Sequence, residues 1–513
     1  MSRRTDETEN PAEEPRVRRL TLVRHGDEPD TPQPAEETAA ADETDETDSA
    51  AAEAESPAPG EDPAPGPEPA TAQPEPRRRH FVRMAACAAA LAIAMTSAAV
   101  VIGARDNSAA PVASAPSNLS PGLLASGDLN AGINALQVQL RAQPKDFGSW
   151  ATLGLAYVEQ ARTTGDASRY PQAQKALERS LKLRPDNDGA LAGLAALAAA
   201  RHEFSDALKY ADQALAVNPY GERALSVRID ALNELGRYAE ASKAADTADE
   251  RRPGIPVFTR FAYVRELRGD VKTARRVLER ALSSSSSPGD ISYVATQLGQ
   301  LAWRQGDYDG ALKHYARALA ADDSYLPALE GRARAQAAKG DTKAAIQGLE
   351  IVVGRYPLPG PLVELGELYE ASGESAKAKE QYALVTAWTQ LARANGVNAD
   401  LDTALAAADH GDRKAALKAA RAEWERRETV HTADALAWAL HVNGKDEEAL
   451  PYARKAVATG YKDAAFLYHR GMIERATGHP EEARTALSAA LKLNAGFSPL
   501  GAREARKALE ETK

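Results

Sequence analysis

Five of the nine histidines fall late in the chain, at His410, His431, His441, His469 and His479. Imidazoles ligate transition metals and move protons near neutral pH, but a metal site needs two or more of them converging at fixed geometry. Only His441 and His469 lie on adjacent copies of a repeated segment where they could approach one another, with Asp434 one or two helical turns away. His410 falls in a turn and His479 at a turn edge. The plain reading of the group is solvated or groove-lining, so no metal and no other cofactor is assigned. Asp409-His410 and the run Ser283 to Ser287 look like pieces of acid–base or nucleophilic machinery, but neither has partners at a fixed spacing. The chain has no Gly-rich phosphate loop, no His-Glu-x-x-His pair and no nucleophile elbow. Its single cysteine, Cys87, excludes an intramolecular disulfide and a cysteine zinc cluster. These observations point away from an enzyme.

One further motif carries a phosphoryl chemistry. Leu20-Thr21-Leu22-Val23-Arg24-His25-Gly26 resembles the strand-end signature of histidine phosphatases, in which the His accepts the phosphate and the Arg holds it. That chemistry needs an α/β domain to bring up a second His and more Arg residues. Here the motif runs into Asp27-Glu28-Pro29-Asp30 and a long acidic stretch, so it is read as chance similarity.

The elements around these residues are set by composition. Residues 1–76 hold about 21 Asp and Glu against about 6 Arg, with Pro and Ala filling most of the rest. So few large apolar residues cannot offset the entropy of ordering, and the segment is expected to be a disordered tail. Its charge, about −15, exceeds the whole-chain −10, which leaves the remainder mildly basic. No dense basic face with interleaved aromatics appears, which excludes a nucleic-acid partner.

Residues 77–104 combine a basic flank, Arg77-Arg78-Arg79-His80-Phe81-Val82-Arg83, with an apolar run over 84–103. That run is about the length of a membrane-spanning helix, and the basic flank predicts a cytoplasmic N-terminus with the rest of the chain extracytoplasmic. The alternative is a twin-arginine export signal, cleaved to release a secreted protein. Residues 105–120, rich in Ser, Ala and Pro, read as a linker.

From residue 121 onward the chain repeats itself. Leu191 to Pro219 continues in register with Leu225 to Pro253, a period of about 34 residues. The shared landmarks are a Gly or polar turn, an aromatic, and small alanines: Gly236, Tyr238, Ala241, Ala245, Ala248 and Pro253 in one copy. Others include Trp150, Leu153, Gly154 and Tyr157, then Gly306, Tyr308, Ala311 and Tyr315, and late in the chain Gly471, Gly478, Ala483 and Leu487. The first copy carries an insertion of about seven residues, and a half-copy runs from Gly127 to Pro144. Turn glycines such as Gly236, Gly306, Gly340 and Gly444 supply the left-handed conformation that ends a helix, and small alanines let two helices approach.

This pattern resembles the tetratricopeptide-repeat (TPR) family, in a bacterial membrane-anchored or exported form. The resemblance implies an all-α, right-handed solenoid of about ten helix-turn-helix repeats over 121–500, with a helical cap or tail over 501–513. It also implies a concave groove, lined by the first helix of each repeat, that binds an extended peptide or a partner helix. By position that groove would include Asp230, Asn233, Gln300, Trp303, Arg304, Glu330 and Arg334, then Glu367, Asp434, Trp438, His441 and His469. The Lys and Asn pattern of chaperone-binding TPRs does not recur here. The expected function is therefore a protein-interaction scaffold at the membrane, its partner an unidentified protein or peptide. The alternatives are an exported accessory protein binding a solute or metal through the histidine-rich repeats, and a sensor of an external ligand.

Overall fold

A computed structural model describes residues 129–511; the acidic tail, the phosphatase-like motif, Cys87 and the apolar run 84–103 lie outside the described residues. The described chain is all helix, without a strand. Helix α1 (Leu129–Ala142) precedes ten helical hairpins. Their first helices are α2 (Phe147–Thr164), α4 (Asp188–Ala200), α6 (Glu222–Glu234), α8 (Ile255–Leu267), α10 (Pro288–Arg304), α12 (Leu326–Ala338), α14 (Pro359–Ala371), α16 (Asp400–His410), α18 (Val430–His441) and α20 (Ala464–Ala476). Their second helices are α3 (Tyr170–Leu183), α5 (Phe204–Val217), α7 (Tyr238–Arg251), α9 (Val271–Ser284), α11 (Tyr308–Ala321), α13 (Thr342–Arg355), α15 (Ser375–Ala394), α17 (Arg413–Arg426), α19 (Asp446–Ala456) and α21 (Pro480–Leu493). Helix α22 (Gly501–Glu511) follows the last hairpin. None of these helices is long and apolar enough to cross a membrane.

A two-residue device makes several of the hairpin turns. Gly306 ends α10 at φ 74°, and Asp307 then caps α11 by accepting the Gly310 N–H at 2.9 Å. Such a carboxylate satisfies one of the orphan donors at a helix start. Gly269-Asp270 and Gly340-Asp341 repeat the device, with Asp270 and Asp341 accepting from Thr273 and Ala344.

Packing inside a hairpin rests on one large residue seated against a glycine. Tyr315 of α11 lies against Gly299 of α10, Tyr382 of α15 against Gly366 of α14, and Leu487 of α21 against Gly471 of α20. In each case the large residue comes sixteen positions after the glycine. In the first hairpin Leu177 takes that place against Gly154, twenty-three positions on. The additional seven residues are the insertion read in the sequence, and part of it forms a 3-10 turn at Ala167–Arg169. Around these contacts Ala173, Ala207, Ala241, Ala311, Ala345 and Ala483 are fully buried, as close helix approach requires.

First helices of neighbouring hairpins pack on one another at every step, while each second helix packs chiefly against its own partner and the next first helix. The first helices therefore form the inner, more tightly curved layer. The curvature brings the coil back onto itself. The ends of the first five of these helices, α2 to α10, meet in order the loops that precede α14, α16, α18, α20 and α22, which makes a seam between turns of the coil. Tyr356 donates to the Arg162 carbonyl at 2.9 Å, and His202 Nδ1 lies 2.7 Å from the Asn398 carbonyl. Tyr238 accepts from the Val430 N–H at 2.8 Å, and Arg427 pairs with Glu234. At the last of these contacts Tyr308 donates to Asn494 at 2.7 Å and accepts from Gly496 N–H at 2.8 Å. Gly236, at φ 72°, is needed twice over: it ends α6, and a Cβ there would strike the Glu428 carbonyl of the next turn of the coil.

Candidate binding groove

The inner faces of the first helices carry charges that pair from one hairpin to the next. Asp230 on α6 accepts from Arg260 on α8 at 2.8 Å, and Glu266 on α8 holds Arg304 on α10 through two bonds of 2.6 and 2.9 Å. Arg334 on α12 stacks 4.9 Å over the Trp303 ring of α10, and bonds both Glu330 on its own helix and Glu364 on α14. Glu367 on α14 then meets His410 on α16 at 3.3 Å, and Asp409 accepts from the Trp438 indole of α18 at 2.8 Å. Asp434 on α18 finally holds His469 on α20, both oxygens 2.9 Å from Nδ1. The result is an unbroken ladder along the inner layer from α6 to α20.

Of the residues placed in the groove by sequence, Asp230, Trp303, Arg304, Glu330, Arg334, Glu367, Asp434, Trp438 and His469 lie on this ladder. Gln300 is half-buried one helical turn before Arg304. Asn233 is only 5 % exposed, and neither atom of its carboxamide has a hydrogen-bond partner. His441 is off the ladder: it closes α18 and pairs with Asp446 at the start of α19. It is also kept from His469 by Trp438, whose ring lies 4.9 Å from one imidazole and 4.2 Å from the other. No group of three or more potential ligands that could hold a metal occurs among the described residues. His410 is the last residue of α16 rather than a turn residue, and its ring stacks on Tyr382 at 4.1 Å.

The partners Arg260, Glu266, Glu364 and Asp409 were missed by the positional reading. A signal for two of them existed, since Asp230 and Arg260, and Arg334 and Glu364, are opposite charges thirty residues apart. That is about one repeat less one helical turn.

Burial governs the electrostatics of the ladder. It pushes the Glu364 carboxyl up to about 7 in spite of Arg334, and it raises Asp230 as well. His469 goes the opposite way from a buried imidazole: burial disfavours its charge, but Asp434 outweighs burial and raises its pKa. A raised imidazole stabilises the fold fully below its unfolded value, and that contribution is lost as pH rises through the folded value. Melting temperature followed across this range is expected to fall more steeply with rising pH in the wild type than in Asp434→Asn. Equal slopes would show that the pair does not couple to folding.

Before the ladder begins, between α2, α4 and the first turn of α6, the inner layer holds a cavity of about 450 Å³. Leu155, Val158, Ala192 and Ala224 supply apolar wall, with Glu159 and Arg223 at its polar side.

Comparison with known proteins bears on this arrangement. The family model described as "Tetratricopeptide repeat" matches residues 193–256, 296–358 and 435–499. Cellulose synthase 1 operon protein C of Komagataeibacter xylinus is 31% identical over 230 residues, which is 42% of this chain and 17% of that protein. Cellulose synthase operon protein C of Pseudomonas fluorescens (strain SBW25) is 27% identical over 169 residues, 30% of this chain and 13% of that one. The chain thus spans less than a fifth of the length of these relatives. A solved thermophilic TPR protein of Thermus thermophilus is 24% identical, with a TM-score of 0.33, covering 36% of this chain and 99% of its own.

Proposed function

This chain carries tetratricopeptide repeats, and from that premise we propose that it is a non-catalytic scaffold whose inner groove takes a protein partner. The observation that carries the reading is the row of part-exposed side chains on the inner layer, Asp230, Arg260, Gln300 and Arg334, that a partner in the groove would meet. The apolar run over 84–103 supports tethering at a membrane, with the groove on the extracytoplasmic side.

Capture from crosslinked membranes tests the groove. The full chain is expected to recover a partner that Gln300→Ala with Glu330→Gln loses, while both fold alike by circular dichroism. Recovery of the same partner by both would place binding elsewhere. Protease added to cells with a permeabilised outer layer is expected to cut the repeats, and protection there would reverse the topology.

A further inference from the structure

Charge on the outer layer is distributed differently from the paired charge of the ladder. On α9, Lys272, Arg275, Arg276 and Arg280 share one face, opposite the buried Ala274, Leu278 and Ala281. The row runs about 12 Å along the helix. Lys313 and Arg317 of α11 add to it, and all of these cations are exposed except Arg275, which is half-buried. Among the described residues none of them has an ion pair; Arg280 alone has a contact, 5.9 Å over the Phe258 ring. The carboxylates of the two helices are Glu279 and Asp309, and Asp309 is held by Lys339. The outer helix just before has the opposite sign, α7 carrying Glu240, Asp246, Asp249 and Glu250 against Lys243 and Arg251.

His314 shows that α9 and α11 present one field. Its imidazole is half-buried on α11. Burial and then Arg275 of α9 push its pKa below the ordinary value, Lys313 adding to them while Glu279 and Asp307 oppose. Like charges held together without partners repel, and an anionic surface offsets that repulsion. Both helices belong to the outer layer, so the cations stand on a convex surface rather than around a cleft. Stacked bases are poorly served there: α9 has no aromatic residue, and on α11 Tyr315 is fully buried and Tyr308 is engaged at the seam.

Resting on the tether reading above, we propose that the outer face of α9 and α11 docks on the anionic headgroups of the bilayer that the 84–103 run enters. Each Lys or Arg beside an anionic bilayer strengthens binding about fivefold, so a row of four is worth several hundredfold. About 25 residues separate the apolar run from α1. A linker of that length has ends about 25–30 Å apart, which sets an effective concentration in the millimolar range. Weak attraction is then enough to hold the face down. A bilayer suits a convex row of cations better than a small anion does, because no wall encloses the anion. Docked in this way, the solenoid is oriented by its outer layer and keeps its inner layer free for a partner.

The test uses the full chain. Cys87→Ser with Ala316→Cys leaves a single thiol, on the exposed side of α11 beside Arg317. A donor dye there and an acceptor on lipid headgroups report approach to vesicles of phosphatidylcholine, alone or with phosphatidylglycerol. Energy transfer is expected to be high only with phosphatidylglycerol. It should fall to the neutral-lipid level in about 1 M sodium chloride, where the Debye length is about 3 Å. Arg275→Gln with Arg276→Gln and Arg280→Gln should lower the docked-to-free ratio about a hundredfold. The same loss of charge on α3, Lys175→Gln with Arg179→Gln and Lys182→Gln, should leave transfer unchanged. Equal transfer on the two lipids would overturn the proposal, as would an equal loss in the α3 variant. Loss of transfer on adding inorganic phosphate at constant ionic strength would assign a free-anion site instead and overturn it too. Flotation with neutral vesicles at high salt reports the 84–103 anchor alone, so a failed tether is told apart from a failed face. The lipid and salt comparisons on the unaltered face stand even if the triple variant folds poorly.

Discussion

Replacing Arg427 by alanine should cost about 3–5 kcal/mol, the range for breaking a buried ion pair from one side. Arg427 bonds Glu423 one helical turn before it and reaches across the seam to Glu234. Its side chain is 6 % exposed and that of Glu423 2 %. Removing the guanidinium leaves a carboxylate without water and with only Arg426 and Asn398 beside it. The two carboxylates do not share the cation equally. Burial raises the Glu423 carboxyl, but Arg427 and Arg426 outweigh it and hold the pKa below its usual value. Glu234 stays raised by burial in spite of Arg427, so the guanidinium serves chiefly Glu423.

The linkage has a definite sign. A depressed carboxyl contributes stability that is present above its unfolded pKa and lost as pH falls through the lower, folded one. Urea midpoints for wild type against Arg427→Ala should therefore differ most at neutral pH and converge in acid. Hydrogen exchange should rise both around α17 and around α6, because the variant loosens two turns of the coil at once. Faster exchange near α17 alone would show that the Glu234 contact contributes nothing to the seam.

The helices and the turn glycines were legible from sequence because each is set by neighbours within one repeat. The insertion in the first hairpin was legible for the same reason, its length confirmed by the displacement of Leu177. The seam was not. Val430 meets Tyr238 across 192 residues, and Asn494 meets Tyr308 across 186. Which residues meet there depends on small rotations per hairpin summed over six of them, and no local pattern records that sum. Gly236 shows the limit well: its type announced a helix end, and only the coil shows that its missing side chain also makes room for Glu428. The ladder is an intermediate case. Its residues were mostly placed by position, but their role as partners of one another appears only when charges a repeat apart are compared.

The second large effect concerns Tyr315, the fully buried wedge of the fifth hairpin. Its ring fills the space left by Gly299 on one side and Gly331 of the next hairpin on the other. Deleting it should open a cavity at a point where two hairpins meet, and Tyr315→Ala is expected to cost about 3–5 kcal/mol. The hydroxyl contributes none of this. It has no hydrogen-bond partner, and burial pushes its pKa up to about 12, so it stays neutral across the working range. Tyr315→Phe should therefore match the wild type or exceed it by about 1 kcal/mol, since an unpaired buried hydroxyl is a cost. The converse change fills the space from the other side: Gly331→Ala should cost about 1–3 kcal/mol by overpacking against the ring. Combined with Tyr315→Ala, that alanine should lose most of its own penalty, because the atoms it strikes are gone. Urea denaturation of the four variants forms the cycle. Additive costs would mean that ring and glycine do not share one space, and with it the account of how a hairpin closes on its neighbour would fail.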